Sequence, residues 1–379
     1  MDLQEARNQI DQCDQQLVAA FKARMDAVLE IAQYKKEHGL PIFDPARERA
    51  VVSRVTEGCG EQDALDLKLL YNTLFDLARS REQRALATPT QLTDRIAQAA
   101  AQTPALFPKR AVVACQGVEG AYSQQACDKL FALPSLMYCK RFEGVFQAIQ
   151  SGLCQYGVLP IENSSYGSVS EVYDLMRRYS FSIVRSIRLK IDHRLLAKPG
   201  VKLESVREIV SHEQGLGQCG RFLKGLKDVK LTVFANTAEA AQYVSQSDRT
   251  DLAAIASPAC AALYGLSVLS DQVSDSDSNF TRFICIAKAL EIYPGADKIS
   301  LMLNVQHKPG ALYSMIAKFA ALGLNLTKLE SRPIAGTDFE FMFYFDLDAS
   351  VCSPEALQLI AELDEGPEPF TFLGCYTEL

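Results

Sequence analysis

Three cations near the N-terminus fall where a helical core would ask for apolar groups. Arg24 sits on a seven-residue stripe of Leu3, Ile10, Leu17 and Ile31, and Arg7 and Lys35 share a second phase with Phe21 and Val28. Asp44, Arg47 and Glu48 follow at the start of a later helical pattern. A solvated face with Arg24 snorkelling is the bland explanation. The sharper one is a pocket between helices for a small dianion, because a buried Arg or Lys needs an anionic partner.

A second group of motifs lies in the middle of the chain. Gly215-x-Gly217-x-x-Gly220 has the form of a dinucleotide fingerprint. However, Glu213 and Gln214 intervene after the preceding strand and His212, and no clear acidic partner closes a second strand, so a nicotinamide site is poorly supported. Elsewhere stand Gly117-x-x-Gly120-Ala121-Tyr122-Ser123, Glu162-Asn163-Ser164-Ser165-x-Gly167, His212-x-Gln214-x-x-x-Gln218-Cys219 and Asn279-Phe280-Thr281-Arg282-Phe283. Singly, each reads as a turn or a strand hydroxyl. Near the C-terminus, Gly310-Ala311-Leu312 opens a helix and Glu330-Ser331-Arg332-Pro333 ends a strand, where small residues let a ligand reach backbone N–H groups.

The elements that must position these residues divide the chain of 379 residues into two or three domains. The first 35 residues read as one helix, uninterrupted by Pro or Gly until Gly39. At 1.5 Å per residue it is about 50 Å long. Helical patterns resume after Pro45 and from Asp63 to Arg84. Three such helices cannot bury their apolar stripes within one copy, which implies an intertwined dimer. A Pro-punctuated linker with an alanine-rich helical stretch spans Ala85 to Lys109. From Arg110, short β-branched runs (Ala111–Ala114, Gly157–Pro160, Phe181–Arg185, Glu208–Ser211, Leu252–Ala256, Arg282–Ala287) alternate with helices in an α/β pattern. Beyond a second boundary at Tyr293–Lys298 the order is strand (Ile299–Val305), helix (Pro309–Leu322), strand (Leu324–Arg332), strand (Phe339–Leu347), helix (Ser353–Leu363) and strand (Phe370–Tyr376). This is a ferredoxin-like βαββαβ unit.

Composition excludes several classes. At 48% hydrophobic and 22% charged the chain is globular. A net charge of −7 without Lys/Arg clusters makes nucleic acid and anionic membrane poor partners. Four scattered histidines and eleven cysteines with no C-x-x-C pair argue against zinc, iron–sulfur and thioredoxin-type chemistry, and no metal is expected. The cysteines suit a reducing cytosol, the N-terminus lacks a signal peptide's apolar core, and the uncharged stretch Leu252–Ser270 reads as buried helix and strand, so a soluble cytoplasmic protein is expected.

Arg7, Arg24, Lys35 and Asp44-x-x-Arg47-Glu48 resemble the all-helical chorismate mutase domain over residues 1–88. A pericyclic rearrangement needs two carboxylates pinned and charge at the breaking ether bond. The resemblance implies that Arg7 comes from the partner subunit and grips a carboxylate with Arg24. Lys35 then donates to the ether oxygen, Glu48 accepts from the ring hydroxyl, and Asp44 and Arg47 shape the site. The family's last helix offers Ser and, four residues later, Gln; here it reads Ala78-Arg79-Ser80-Arg81-Glu82-Gln83-Arg84. Ser80, Glu82 and Gln83 compete for the pocket, and no register restores both groups. Glu82 is the favoured occupant, and it must be protonated to donate.

The central motifs, in order and spacing, resemble prephenate dehydratase over residues 110–288, after a linker at 89–109. That family folds as two α/β lobes around a cleft, like type II periplasmic binding proteins. It implies Thr281 as hydrogen-bond or proton donor to the leaving hydroxyl, and Tyr122, Ser123, Asn163, Ser164, Ser165 and Gln218 as cleft-lining groups. Arg282 is expected to hold a carboxylate. Gly310, Ala311, Leu312, Glu330, Ser331, Arg332 and Pro333 resemble the phenylalanine contacts of an ACT regulatory domain, here residues 298–376. The whole is expected to be a multidomain enzyme without cofactor, a homodimer or larger, that turns chorismate into prephenate and prephenate into phenylpyruvate under feedback by L-phenylalanine. The rivals are a dehydratase with an inactive helical dimerisation domain, and a non-catalytic anion and amino-acid sensor.

Overall fold

The computed structural model describes residues 2–379 apart from 42, 87–88, 306, 308, 335–340 and 367, and the side chains of 83, 84 and 86 also lie outside the description. Gln83 as a pocket residue and the first two residues of the strand expected from Phe339 therefore fall outside the described residues. Two compact units emerge: Met1–Arg95 with Leu303–Phe343 and Leu347–Phe370, and Ile96–Met302 with Tyr344–Asp346 and Thr371–Leu379.

The first unit begins with α1 (Leu3–His38), whose start is fixed by a reciprocal Asp2–Glu5 capping box and whose end is the left-handed Gly39. Asp44 caps α2 (Pro45–Thr56), with Pro45 at the first helical position. After it comes α3 (Glu61–Leu86). Of the 36 residues in α1 only Met25, Val28 and Ala32 are buried, where α3 brings Phe75 and Ala78 against the helix. Leu3, Ile10 and Leu17 are 68%, 60% and 61% exposed, so the apolar stripe of the N-terminal half is uncovered within one chain.

The linker's alanine-rich stretch is α4 (Gln91–Gln102). A first sheet then starts with β1 (Arg110–Gln116), α5 (Tyr122–Leu130), β2 (Leu133–Cys139), α6 (Phe142–Gln150), β3 (Tyr156–Asn163), β4 (Gly167–Ser168), α7 (Ser170–Tyr179) and β5 (Ser182–Lys190). Residues 191–193 cross to a second sheet containing β6 (Arg194–Ala197), β7 (Glu208–His212), α8 (Glu213–Gly217), α9 (Gly220–Lys224), β8 (Lys230–Phe234), α10 (Thr237–Gln246), β9 (Leu252–Ala256), α11 (Pro258–Tyr264) and β10 (Ser267–Ser270). Residues 271–279 then return the chain to β11 (Phe280–Ala287), which lies antiparallel between β3 and β5 in the first sheet. The orders are β2-β1-β3-β11-β5, with β4 on β3, and β10-β6-β9-β7-β8. Two crossing segments thus join two lobes. Each lobe has its own buried core, around Val113, Val158 and Cys285 in one and Leu196, Ala254 and Ile255 in the other.

The last elements are β12 (Lys298–Val305), α12 (Ala311–Ala321), β13 (Asn325–Pro333), β14 (Phe341–Asp348), α13 (Pro354–Asp364) and β15 (Phe370–Tyr376), with strand order β13-β14-β12-β15. The Leu252–Ser270 stretch folds as β9, α11 and β10, and none of the described helices is long and apolar enough to cross a membrane.

Candidate active sites

The N-terminal helices gather cations and carboxylates into one region. Lys35 Nζ lies 2.8 Å from Glu82 Oε2, with the two side chains 17% and 8% exposed. Arg24 Nη1 donates to the Leu74 carbonyl at 3.2 Å, and its guanidinium lies over the Phe75 ring. Glu48 on α2 pairs with Arg79 of α3, which also holds Asp76 and covers the ring of Phe43. Asp44 is spent on capping, its Oδ1 accepting from Arg47 N at 2.9 Å, while Arg7 and Arg47 are exposed. Ala78 and Glu82, four residues apart, share the α3 face turned to α1. Ser80 is about 200° round the helix from Ala78. It donates to Glu362 Oε1 at 3.2 Å and accepts from Gln358 Nε2 at 3.3 Å, both on α13. Ser80 is therefore corrected: it belongs to a contact with α13, and Glu82 is the α3 residue beside Lys35.

Between the two lobes, a cavity of about 240 Å³ is lined by Tyr122, Ser123, Asn163, Gln218 and Thr281, the two histidines His193 and His212, and others. The register of β11 on β3 sets Thr281 opposite Asn163. Asn163 Nδ2 lies 2.9 Å from Thr281 Oγ1 and 2.9 Å from Asn279 Oδ1, while Asn163 Oδ1 accepts from the backbone N–H of Ser165 and of Tyr166, both at 3.0 Å. Gln218 bridges onward, 3.4 Å from Asn163 Oδ1 and 2.8 Å from His193 Nε2. Tyr122 donates to the Asp192 carbonyl at 2.5 Å, and burial holds its phenol well above the usual range. Burial also pushes both histidines below their ordinary value, favouring neutral rings. Among the described residues no Lys, Arg, Asp or Glu lines this cavity.

Three expected cleft residues stand elsewhere. Side chains alternate along a strand, so Thr281 and Phe283 face the cavity and Arg282 faces away. Arg282 is 8% exposed and bound to Asp346, to Glu378 at 2.8 Å and to the Tyr376 hydroxyl at 2.7 Å. Ser300 joins Asp346 and Tyr376 from the same side. Arg282 is a buried structural anchor and is not placed to grip a substrate carboxylate. Ser164 closes the turn after β3 by donating to the Ser278 carbonyl at 3.0 Å and accepting from Phe280 N at 2.9 Å. Ser164 and Ser165 are both exposed and neither lines the cavity.

Comparison with known proteins decides what these pockets belong to. A family model for chorismate mutase type II matches residues 6–83, and one for prephenate dehydratase matches residues 113–291. The bifunctional chorismate mutase/prephenate dehydratase of Escherichia coli K12 is 31% identical over 376 residues, covering 98% of this chain and 95% of that protein. The chain belongs to the bifunctional chorismate mutase/prephenate dehydratase family. Arogenate dehydratase/prephenate dehydratase 1 of Arabidopsis thaliana is 37% identical over 281 residues, 70% of this chain and 71% of its own length. Among solved structures, a prephenate dehydratase of Arthrobacter aurescens in complex with L-Phe aligns with a TM-score of 0.64 at 28% identity, over 70% of this chain and 89% of that one.

This family member thus carries an isomerase domain that acts on chorismate and a carbon–oxygen lyase domain that acts on prephenate. Its Gly215-x-Gly217-x-x-Gly220 run lies in the short helices α8 and α9, and the glycines answer to packing. A Cβ on Gly217 would sit 1.7 Å from the Tyr166 hydroxyl, and one on Gly215 would sit 2.8 Å from Ser211 Oγ. Sequence reasoning missed Arg79, His193 and the α10 start at Asn236–Thr237. Arg79 is visible in hindsight, four residues after Phe75 and three before Glu82 on the same helix.

Proposed function

We propose that the chain runs both reactions in sequence, chorismate to prephenate among α1–α3 and prephenate to phenylpyruvate in the two-lobed cleft. L-phenylalanine acts as feedback effector on the βαββαβ unit, read as an ACT domain, and the enzyme is cytoplasmic and a homodimer or larger. The observation that carries the dehydratase reading is Thr281 opposite Asn163 on the cavity wall. With Asn163 Nδ2 turned to Thr281 Oγ1, the Thr281 hydrogen is left for the substrate's leaving hydroxyl. Among the described residues the anionic substrate finds no side-chain cation on the wall, and the N-terminus of α5, which carries no side-chain cap, offers N–H groups beside Tyr122 and Ser123. The proposed test adds prephenate or chorismate to purified protein and reads phenylpyruvate absorbance, with and without phenylalanine. Both substrates should yield product, and phenylalanine should slow it. Gly310 starts α12 at φ 82°, a conformation that excludes a β-branched residue. Gly310→Val should abolish calorimetric phenylalanine binding and inhibition, and leave uninhibited turnover. Unchanged binding would remove Gly310–Leu312 and Glu330–Pro333 as the effector site.

In the mutase pocket, Arg24 and Arg7 of the partner subunit are assigned to the substrate carboxylates, Lys35 to the ether oxygen and Glu48 to the ring hydroxyl, with Asp44 and Arg47 shaping the walls. What supports the second copy is distance. Arg7 and Lys35 are 28 residues apart on one continuous helix, about 42 Å at 1.5 Å per residue. Glu82 lies beside Lys35, where the ether oxygen is assigned, and a neutral amide at that position would donate to the oxygen. Glu82→Gln should therefore keep mutase activity at neutral pH. Loss of mutase activity in Glu82→Gln would show that the carboxylate itself is needed beside Lys35.

A further inference from the structure

The tautomer of His193 follows from a chain of hydrogen bonds that begins at the backbone. Asn163 Oδ1 accepts from two main-chain N–H groups, so its amide cannot be turned round and Nδ2 must face Thr281. Gln218 then points its Nε2 at that same Oδ1, which leaves its Oε1 toward His193. An oxygen 2.8 Å from His193 Nε2 requires the hydrogen on Nε2. With the ring neutral, Nδ1 carries a lone pair. That nitrogen is buried with no partner, His193 is only 3% exposed, and the residue lies on the cavity wall in the segment that crosses between the lobes. An acceptor left unpaired in such a place costs stability unless a ligand uses it.

The ligand that fits must bring a hydrogen. Prephenate at neutral pH has two ionised carboxylates and a ketone, all acceptors, and one donor, the ring hydroxyl. We propose that His193 Nδ1 accepts the hydrogen of that hydroxyl and so turns the oxygen's lone pair onto Thr281. This rests on the dehydratase reading and adds a substrate contact to it. When the ring carboxylate departs as CO₂, its C–C electron pair enters the ring and the C–O pair leaves with the oxygen. One proton, relayed from solvent through the Thr281 hydroxyl, completes water, and phenylpyruvate remains as a monoanion. His193 neither gains nor loses a proton over the cycle. It acts by aiming the leaving group.

Two variants separate contact from scaffolding, because Gln places its amide nitrogen where Nε2 stood and Asn places its oxygen where Nδ1 stood. His193→Gln keeps Gln218 in place and removes the acceptor; it should lower dehydratase kcat/KM by about 30-fold or more. His193→Asn keeps the acceptor and should lose less than about 5-fold, since Asn163 stays pinned by the backbone. The acid side of the wild-type profile should fall as Nδ1 takes a proton, below the ordinary histidine range because of burial. Asp192 beside it opposes that shift, His212 across the cavity reinforces it, and the Tyr122 ring edge and Gln218 are the other groups that face it. The acid limb should be absent from His193→Asn. His193→Gln within about 3-fold of wild type, His193→Asn as the more damaged variant, or an acid limb that survives in His193→Asn and so belongs to His212 would each overturn the assignment. Unchanged mutase turnover in the same preparations reports intact folding. Wild-type protein inert toward prephenate would fault the dehydratase reading itself.

Discussion

Replacing Thr281 by valine is expected to lower dehydratase kcat by about 10²-fold or more, with chorismate rearrangement untouched. Valine keeps the shape and the β-branch of β11 and removes only the hydroxyl, so the loss reads the leaving-group hydrogen bond. The neighbour that aims this hydroxyl, Asn163, remains held by the N–H groups of Ser165 and Tyr166. Equal loss of both activities would point to a folding defect, and loss of neither would remove Thr281 from the mechanism.

The second large effect belongs to Lys35. Lys35→Met keeps much of the aliphatic stem and removes the charge next to the breaking ether bond. Mutase kcat should fall by about 10²- to 10³-fold, the usual scale for deleting one preorganised donor. Dehydratase kcat should stay within about 2-fold, a comparison made on one preparation with two substrates. The substitution also strands Glu82, 8% exposed at its side chain, without its ion-pair partner. A Lys35→Met/Glu82→Gln double variant should therefore regain thermal stability and remain slow. Recovery of mutase rate in the double variant would mean that Glu82, not Lys35, carries the charge that matters.

How far the sequence could be read depended on whether position followed from period. The long helices were legible because apolar residues recurred without Pro or Gly, and α1 extends only three residues past the predicted end. β15 at Phe370–Tyr376 and β9 at Leu252–Ala256 match the runs read from the sequence. Short or edge strands were not legible: β6 has four residues, and β2 and β8 mix exposed and half-buried positions without a buried run. Among site residues, Thr281, Asn163 and Gln218 came from motifs and do meet on one wall. Arg282 failed because a motif lists neighbours, whereas a strand sends consecutive side chains to opposite faces. Ser80 failed for the helical counterpart of that reason, since it sits on the α3 face that meets α13. His193 offered no pattern at all, being a lone histidine in a three-residue crossing whose role depends on Gln218, 25 positions later.

The uncovered N-terminal half of α1 has a consequence for how damage spreads through an assembly. If the partner subunit supplies Arg7 while Glu48 is supplied locally, every mutase pocket is a joint product of two polypeptides. A copy defective at Arg7 then spoils its neighbour's pocket and leaves its own intact, and a copy defective at Glu48 does the reverse. Two such copies, each inactive with its own kind, rebuild one whole pocket when they pair and concentrate both lesions in the other. Dehydratase cavities, if lined by a single polypeptide as the described residues line this one, stay indifferent to who the neighbour is. One chain therefore carries one inheritance that is private and one that is held in common.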